Sequence, residues 1–339
     1  MRLANILFLL IFAVLINLGS RAQAQTVDWK LQAVETVQPV SEIFQASAAR
    51  VFVKAGLQWY QVVWCDSKLC LKPAKAPERL QAPAGDLPDG GVAVSPSPGI
   101  MSAWYSQPTR RYNHGVLGDS IEGGGLNVKD DKGNLYTYKL PEDSVFEDIT
   151  PRLADLDGDG RAEVITIKSF LDTGGSLAIF GLRSGKLEPL ASTSPIGTSN
   201  RWLNIAGTSD FNGDGLIDIA TVVTPHIGGT LEIWSYKNGK LVLTASKYGF
   251  SNHFIGSRNL DLSAIGDVTG DGRPDIAIPD AARRQLRIMT LSGDRLEQSG
   301  SVDLPDKIDA NIGLVPQPNG APGAYVLGLA NGDLVAVIN

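Results

Sequence analysis

One pattern recurs three times in the middle of this chain and limits what it can fold into. The copies are Asp155-Leu156-Asp157-Gly158-Asp159-Gly160-Arg161-Ala162-Glu163, Asp210-Phe211-Asn212-Gly213-Asp214-Gly215-Leu216-Ile217-Asp218 and Asp267-Val268-Thr269-Gly270-Asp271-Gly272-Arg273-Pro274-Asp275. Their first aspartates stand 55 and 57 residues apart. Self-similarity at a fixed period of this length means a chain built from like supersecondary units that stack on one another.

Two weaker marks keep the same period. A glycine, one residue and a leucine open an alternating stretch at Gly175-Ser176-Leu177, Gly229-Thr230-Leu231 and Gly332-Asp333-Leu334, and Gly124-Gly125-Leu126 fits as well. A glycine turn before leucine recurs at Gly133-Asn134-Leu135, Gly185-Lys186-Leu187 and Gly239-Lys240-Leu241, with a looser copy at Gly293-Asp294-Arg295-Leu296. Between the marks, polar and apolar residues alternate as in half-buried strands, for example Leu231-Glu232-Ile233-Trp234. The 37 glycines serve the many tight turns this needs. Each period thus holds four strands, A to D, with the acidic loop between A and B. The predicted fold is all-β, a β-propeller of six blades with four antiparallel strands each, with seven blades as the alternative. The last repeat lacks a strand D after residues 333–339, and a spare strand near Trp29 to Thr36 is expected to complete it and close the ring.

The spacing D-x-[DNT]-x-D-G-x-x-[DE] sets side-chain oxygens at loop positions 1, 3, 5 and 9, with a backbone carbonyl at position 7. Carboxylates this close repel one another unless a cation neutralises them. Several hard oxygens on one bend suit Ca²⁺. An EF-hand is excluded, because position 12 is Thr166, Thr221 or Ile278 where glutamate is needed, and because β-type runs such as Val164-Ile165-Thr166-Ile167 follow the loops.

The three loops and their strand context resemble FG-GAP repeats, also called VCBS repeats, of integrin-type propellers and exported bacterial proteins. The resemblance covers about residues 150–279. It implies Ca²⁺ in two to three structural sites. The ligands it implies are Asp155, Asp157, Asp159, the Arg161 carbonyl and Glu163 in the first loop, and Asp210, Asn212, Asp214, the Leu216 carbonyl and Asp218 in the second. In the third they are Asp267, Thr269, Asp271, the Arg273 carbonyl and Asp275. Thr269 departs from the usual acid or amide, so that site is expected to be weaker. The last repeat has Pro318-Asn319-Gly320-Ala321-Pro322-Gly323 at this place, without a carboxylate, and is expected to hold no ion.

The N-terminus reads as an export signal. Arg2 precedes a nearly unbroken apolar run from Ile6 to Leu18, and Ala22-Gln23-Ala24 supplies a small-x-small cleavage site. Residues 1–24 are the predicted signal and 25–339 a single propeller domain. Cleavage removes Arg2 and Arg21 and no acid, so the formal charge moves from −6 to −8. That sign argues against nucleic acid and anionic membrane surfaces as partners. No later segment is apolar enough to insert in a membrane. A periplasmic or secreted monomer is expected. In an oxidising compartment Cys65 and Cys70, separated by Asp66-Ser67-Lys68-Leu69, are expected to form a disulfide clamping the C–D turn of the first blade.

If the acidic loops share one face, the B–C and D–A loops share the other, where propeller ligands bind by family analogy. The longest such loop, about Gln107 to Gly123, carries Arg110, Arg111, Tyr112, His114, Asp119 and Glu122. These groups can bind an anion or a sugar, do acid–base work, or pair among themselves as a capping loop. Arg201-Trp202 and Asn252-His253-Phe254 with Arg258 belong to D–A loops. An exposed Trp202 would suit sugar stacking or a protein contact, and packing between blades is the better-supported reading of it. His226 and Arg283-Arg284 fall in other B–C loops. Two functions compete: a non-catalytic binding or scaffold protein of the cell envelope, with an envelope protein or carbohydrate as partner, and a carbohydrate-active lyase or hydrolase using the Arg110–Glu122 loop. The absence of a G-x-S-x-G elbow and the presence of only three histidines weigh against the enzyme.

Overall fold

The computed structural model describes residues 29–95 and 97–339. The predicted signal segment lies outside the described residues. Those residues form strands and turns, with no helix among them.

Each period folds into a four-stranded antiparallel meander. The first unit runs Val40–Ser47, Arg50–Ala55, Gln58–Cys65 and Lys68–Ala74. The fourth runs Leu203–Ser209, Asp218–Val223, Gly229–Lys237 and Lys240–Phe250, and the fifth Ala264–Gly266, Asp275–Pro279, Gln285–Ser292 and Arg295–Asp303. The last sheet contains Gly313–Val315, Ala324–Gly328 and Leu334–Ile338. Its fourth strand is Lys30–Val34, paired antiparallel with Leu334–Ile338 from Lys30↔Ile338 to Val34↔Leu334. The two ends of the chain are thus hydrogen-bonded in one sheet. The Cys65–Cys70 disulfide closes the hairpin between Gln58–Cys65 and Lys68–Ala74.

One feature departs from the sequence reading. The second unit (Ala93–Val94, Ile100–Thr109, Glu122–Asp130, Leu135–Lys139) and the third (Arg152–Ala154, Glu163–Phe170, Gly174–Arg183, Lys186–Ser192) belong to one nine-stranded sheet. The short strand Ser144–Phe146 joins them, pairing with Glu163–Phe170 on one side and meeting Gly123 on the other. Gly123 permits this approach, since a Cβ there would lie 3.0 Å from Tyr105 Cβ and 3.4 Å from Phe146 Cβ.

The apolar core lies between neighbouring sheets. Ile288 and Leu286 of the fifth unit pack with Tyr325 and Val337 of the last. Val51 and Val53 of the first pack with Val326 and Ala336 of the last. Tyr105 and Leu126 meet Val164 and Phe180, Ile167 and Ile179 meet Ile205 and Ile219, and Val222 and Ile233 meet Ile276 and Ile278. Strands that bury both faces in this way read as long apolar runs instead of strict alternation. Arg79, in the connection that leaves the first unit, folds back on it: it pairs with Glu42 and lies over the rings of Phe44 and Trp59. Successive face-packed sheets of one repeat make an architecture consistent with a β-propeller.

Candidate functional site

In a four-stranded meander the A–B and C–D turns lie at one end and the B–C and D–A connections at the other. The three acidic loops are A–B turns and share one backbone conformation. The glycines at loop positions 4 and 6 are left-handed in every copy: φ is 75° and 81° at Gly158 and Gly160, 76° and 88° at Gly213 and Gly215, and 76° and 83° at Gly270 and Gly272. Only glycine adopts this without strain. The first aspartate organises each bend. Asp155 Oδ1 accepts from Gly158 N and Oδ2 from Gly160 N, both at 2.8 Å. Asp210 and Asp267 repeat these bonds with their own glycines. Oxygens of Asp155, Asp157 and Asp159 gather within 4.8 Å of one another.

The FG-GAP-like repeat family matches residues 155–221 and again 210–278, the span of the three loops. Residues 155–278 are FG-GAP-like repeats. No curated protein matches the chain.

The FG-GAP-like loops differ in how they satisfy the acid at position 9, which is buried in each. Burial pushes the carboxyls of Glu163, Asp218 and Asp275 above their ordinary range. Glu163 accepts from Leu156 N and from Arg183, whose guanidinium also reaches Asp157. Asp218 Oδ1 accepts from Ser235 Oγ at 2.5 Å, while its Oδ2 is buried and has no hydrogen-bond partner. Asp275 has no such gap: Oδ2 accepts from Val268 N, Thr269 N and Thr269 Oγ1, and Oδ1 from Thr290 Oγ1. A cation is therefore a fitting partner for the first loop, with its gathered oxygens, and for the second, with its orphaned buried oxygen. The third, closed on itself through Thr269, fits one less well. Lys237 and Arg273 each contact one exposed acid, Asp214 and Asp271, so these cations offset only part of the loop charge.

The other end of the units gathers most of the remaining candidates. His114 Nδ1 lies 2.5 Å from Glu147 Oε1, and the wholly buried Glu147 also accepts from Ser169 Oγ. Tyr112 is buried and its hydroxyl accepts from Asn200 N at 2.9 Å. Glu122 is buried beside Glu147. Desolvation first, then the Glu147 charge, pushes its carboxyl up to about 9, so it is neutral at pH 7. It is the first residue of a strand, paired with Thr109, so the connection is shorter than the 107–123 span read from sequence.

Much of that connection bonds inward. Arg111 donates to the carbonyls of Ser144 and Pro141 and to Glu142. Arg110 donates to Ser120 Oγ, and Asp119 accepts from Arg258 at 2.7 Å. Arg201 is exposed, but Trp202 is buried, in line with the packing reading preferred for it and against an exposed stacking surface. Trp202 Nε1 donates to Glu147 O at 2.9 Å, and its ring stacks on His226 at 5.9 Å and meets His253 edge-on at 4.8 Å. Sequence reasoning missed Glu147 and Ser169. Glu147 sits in a D–A connection with no repeat mark, and only the folded chain brings it under His114.

Proposed function

We propose that this chain is an exported, six-bladed calcium-binding propeller. On this reading it serves the cell envelope as a binding or scaffold protein, with Ca²⁺ structural. The observation that carries the calcium assignment is the buried, partnerless Asp218 Oδ2 in a loop whose glycines and first aspartate match those of two other loops. Asp155, Asp157, Asp159, the Arg161 carbonyl and Glu163 would hold one ion. Asp210, Asn212, Asp214, the Leu216 carbonyl and Asp218 would hold another. When bound, the ion supplies two positive charges among these oxygens and staples the A–B turn. The six-blade count is supported by six four-stranded units, the last completed by Lys30–Val34. Periplasmic or secreted placement is supported by the apolar N-terminal run with its small-x-small site and by the disulfide.

The binding role is supported by the hydrogen bonds of Arg110, Arg111, Tyr112 and Asp119, which hold the long B–C connection together and tie it to neighbouring connections. One observation favours the carbohydrate-active alternative: the His114–Glu147 pair beside a neutral Glu122 is a base and an acid at close quarters. Isothermal titration of chelator-stripped protein with Ca²⁺ tests the metal assignment, two strong sites being expected and none overturning it. Hydrolase and lyase screening of the wild type beside His114→Ala and Glu122→Ala separates the roles. Turnover lost in both variants would replace the binding reading with the enzyme.

A further inference from the structure

At the end of the units away from the acidic loops, a pocket of about 360 Å³ opens among loops of the fourth and fifth units and the connection that leads to the last. Its wall includes His226, His253, Phe254, Arg283, Arg284 and Lys307, and no carboxylate. Three cations thus line one opening in a chain of net charge −6, with the carboxylates near them set outside the wall. The pocket beside the first and second units instead alternates Arg79, Arg152 and Arg258 with Glu78, Asp89 and Asp261.

Arg283 is fixed in place. Its backbone is left-handed, with φ 58°, which a non-glycine residue adopts only when its surroundings impose it. Its Nη1 donates to Ile308 O at 3.1 Å and its guanidinium lies 4.5 Å from the centre of the Phe254 ring. The nearest carboxylate, Asp309, is 3.9 Å away and half-exposed, so this largely buried charge is only weakly matched. Arg284 is already paired, with Asp306 at 3.0 Å and with the Pro305 carbonyl. Lys307 is exposed, and its Nζ has no ion pair or hydrogen bond among the described residues.

The histidines add a neutral acceptor. Ser257 O can only accept, so His253 Nε2, 2.9 Å away, carries the hydrogen. His253 Nδ1 then accepts from His226 Nε2 at 2.7 Å, which leaves His226 Nδ1 bare. Burial holds both rings neutral, pushing His226 down to about 3 and His253 to about 4. Ile255, on the wall, is 71% exposed and Ile227, next to His226 in the chain, is 59% exposed.

We infer that this pocket binds an acidic peptide segment of a partner protein. The carboxylate of an Asp or Glu side chain is taken by Arg283 and Lys307, a peptide N–H donates to His226 Nδ1, and apolar neighbours rest on Ile227 and Ile255. The inference deepens the reading of this face as a binding surface and rests on it. Planar guanidinium donors match carboxylate geometry, and exposed apolar side chains beside them favour a peptide over a free anion.

The test titrates the full chain with acetyl-Leu-Glu-Leu-amide, its Gln counterpart and glucuronate, following amide chemical shifts. Saturable binding of the Glu peptide is expected, weakened about tenfold by the Gln swap or by Arg283→Gln and about threefold by Lys307→Ala. Lys307→Ala removes no internal bond, so its result stands even if Arg283→Gln disturbs folding. Lys132→Ala, in a C–D turn at the other end, should change nothing. Equal binding of the two peptides, or none, overturns the inference. Glucuronate bound with the same residue dependence overturns it in favour of an acidic sugar. A partner captured from envelope extract equally well by wild type and Lys307→Ala would sink this pocket while leaving the binding role of the protein standing.

Discussion

The second and third acidic loops share a spacing, a pair of left-handed glycines and a first aspartate that ties both glycine amides, yet their inner carboxylates live in different surroundings. Asp218 keeps one oxygen buried and unpaired, whereas both oxygens of Asp275 are saturated by protein donors. Two backbone amides and one side chain make the difference: Val268 N donates to Asp275 Oδ2, whereas the equivalent Phe211 N donates to Ser209 O. Thr269 turns its hydroxyl and its amide onto Asp275. Asn212 reaches only Asp218 Oδ1, at 3.4 Å. A repeat can therefore keep its glycine bend while its inner carboxylate is satisfied by local amides and a hydroxyl, which supply positive ends that a cation would otherwise provide.

The largest effect that would break this comparison is that of chelation. If the first and second loops hold Ca²⁺ at about 100 times its Kd, each site adds about 2.7 kcal/mol, so chelator should lower the melting temperature by roughly 10 °C in calorimetry. An unchanged melting curve would leave the two loops equivalent. Next come paired alanine substitutions, with unfolding measured in Ca²⁺ and in chelator. Asp218→Ala should cost about 2–3 kcal/mol in Ca²⁺ and little without it. Asp275→Ala should cost about 1–3 kcal/mol in both conditions, since it strands the Thr269 and Thr290 hydroxyls. Thr269→Asp should sharpen the contrast by making the third loop resemble the first: titration is expected to show one further Ca²⁺ site and a gain of about 1 kcal/mol.

A pH slope tests the opposite end of the units. Glu122 has its folded pKa raised to about 9 from 4.5, so the folded chain holds a proton that the unfolded chain releases in that window. Stability from this group is full below 4.5 and declines as pH rises through 9. Glu122→Gln should flatten that decline in denaturant melts from pH 5 to 9. His226 has the opposite sign. Its pKa is lowered to about 3 from 6.5, so its contribution is full above 6.5 and is lost as pH falls toward 3. Replacing it with Asn should reduce acid sensitivity below pH 6.

The acidic loops were the most legible part, because their ligating positions are local: nine consecutive residues contain the bend, its glycines and its oxygens. The Cys65–Cys70 hairpin and the strand Lys30–Val34 added to the last sheet were legible for related reasons, one a five-residue spacing and the other a strand missing from a counted repeat. The face opposite the loops was only partly legible. Arg111 and Asp119 were visible as charges, but their partners, the Ser144 carbonyl and Arg258, are about 30 and 140 residues away. Trp202 carries the same side chain whether buried or exposed, and only the packing of His226 and His253 against it decides.

The repeat period and the alternation of strands, both properties of short stretches, determined from the sequence alone that this chain is all-β, and they marked where its acidic bends fall. Tertiary structure decided which acid keeps an orphaned oxygen, which arginine is matched only weakly, and that the three histidines gather near one end of the sheets. Burial and partner geometry arise between segments far apart in the chain, and a one-dimensional pattern does not contain them.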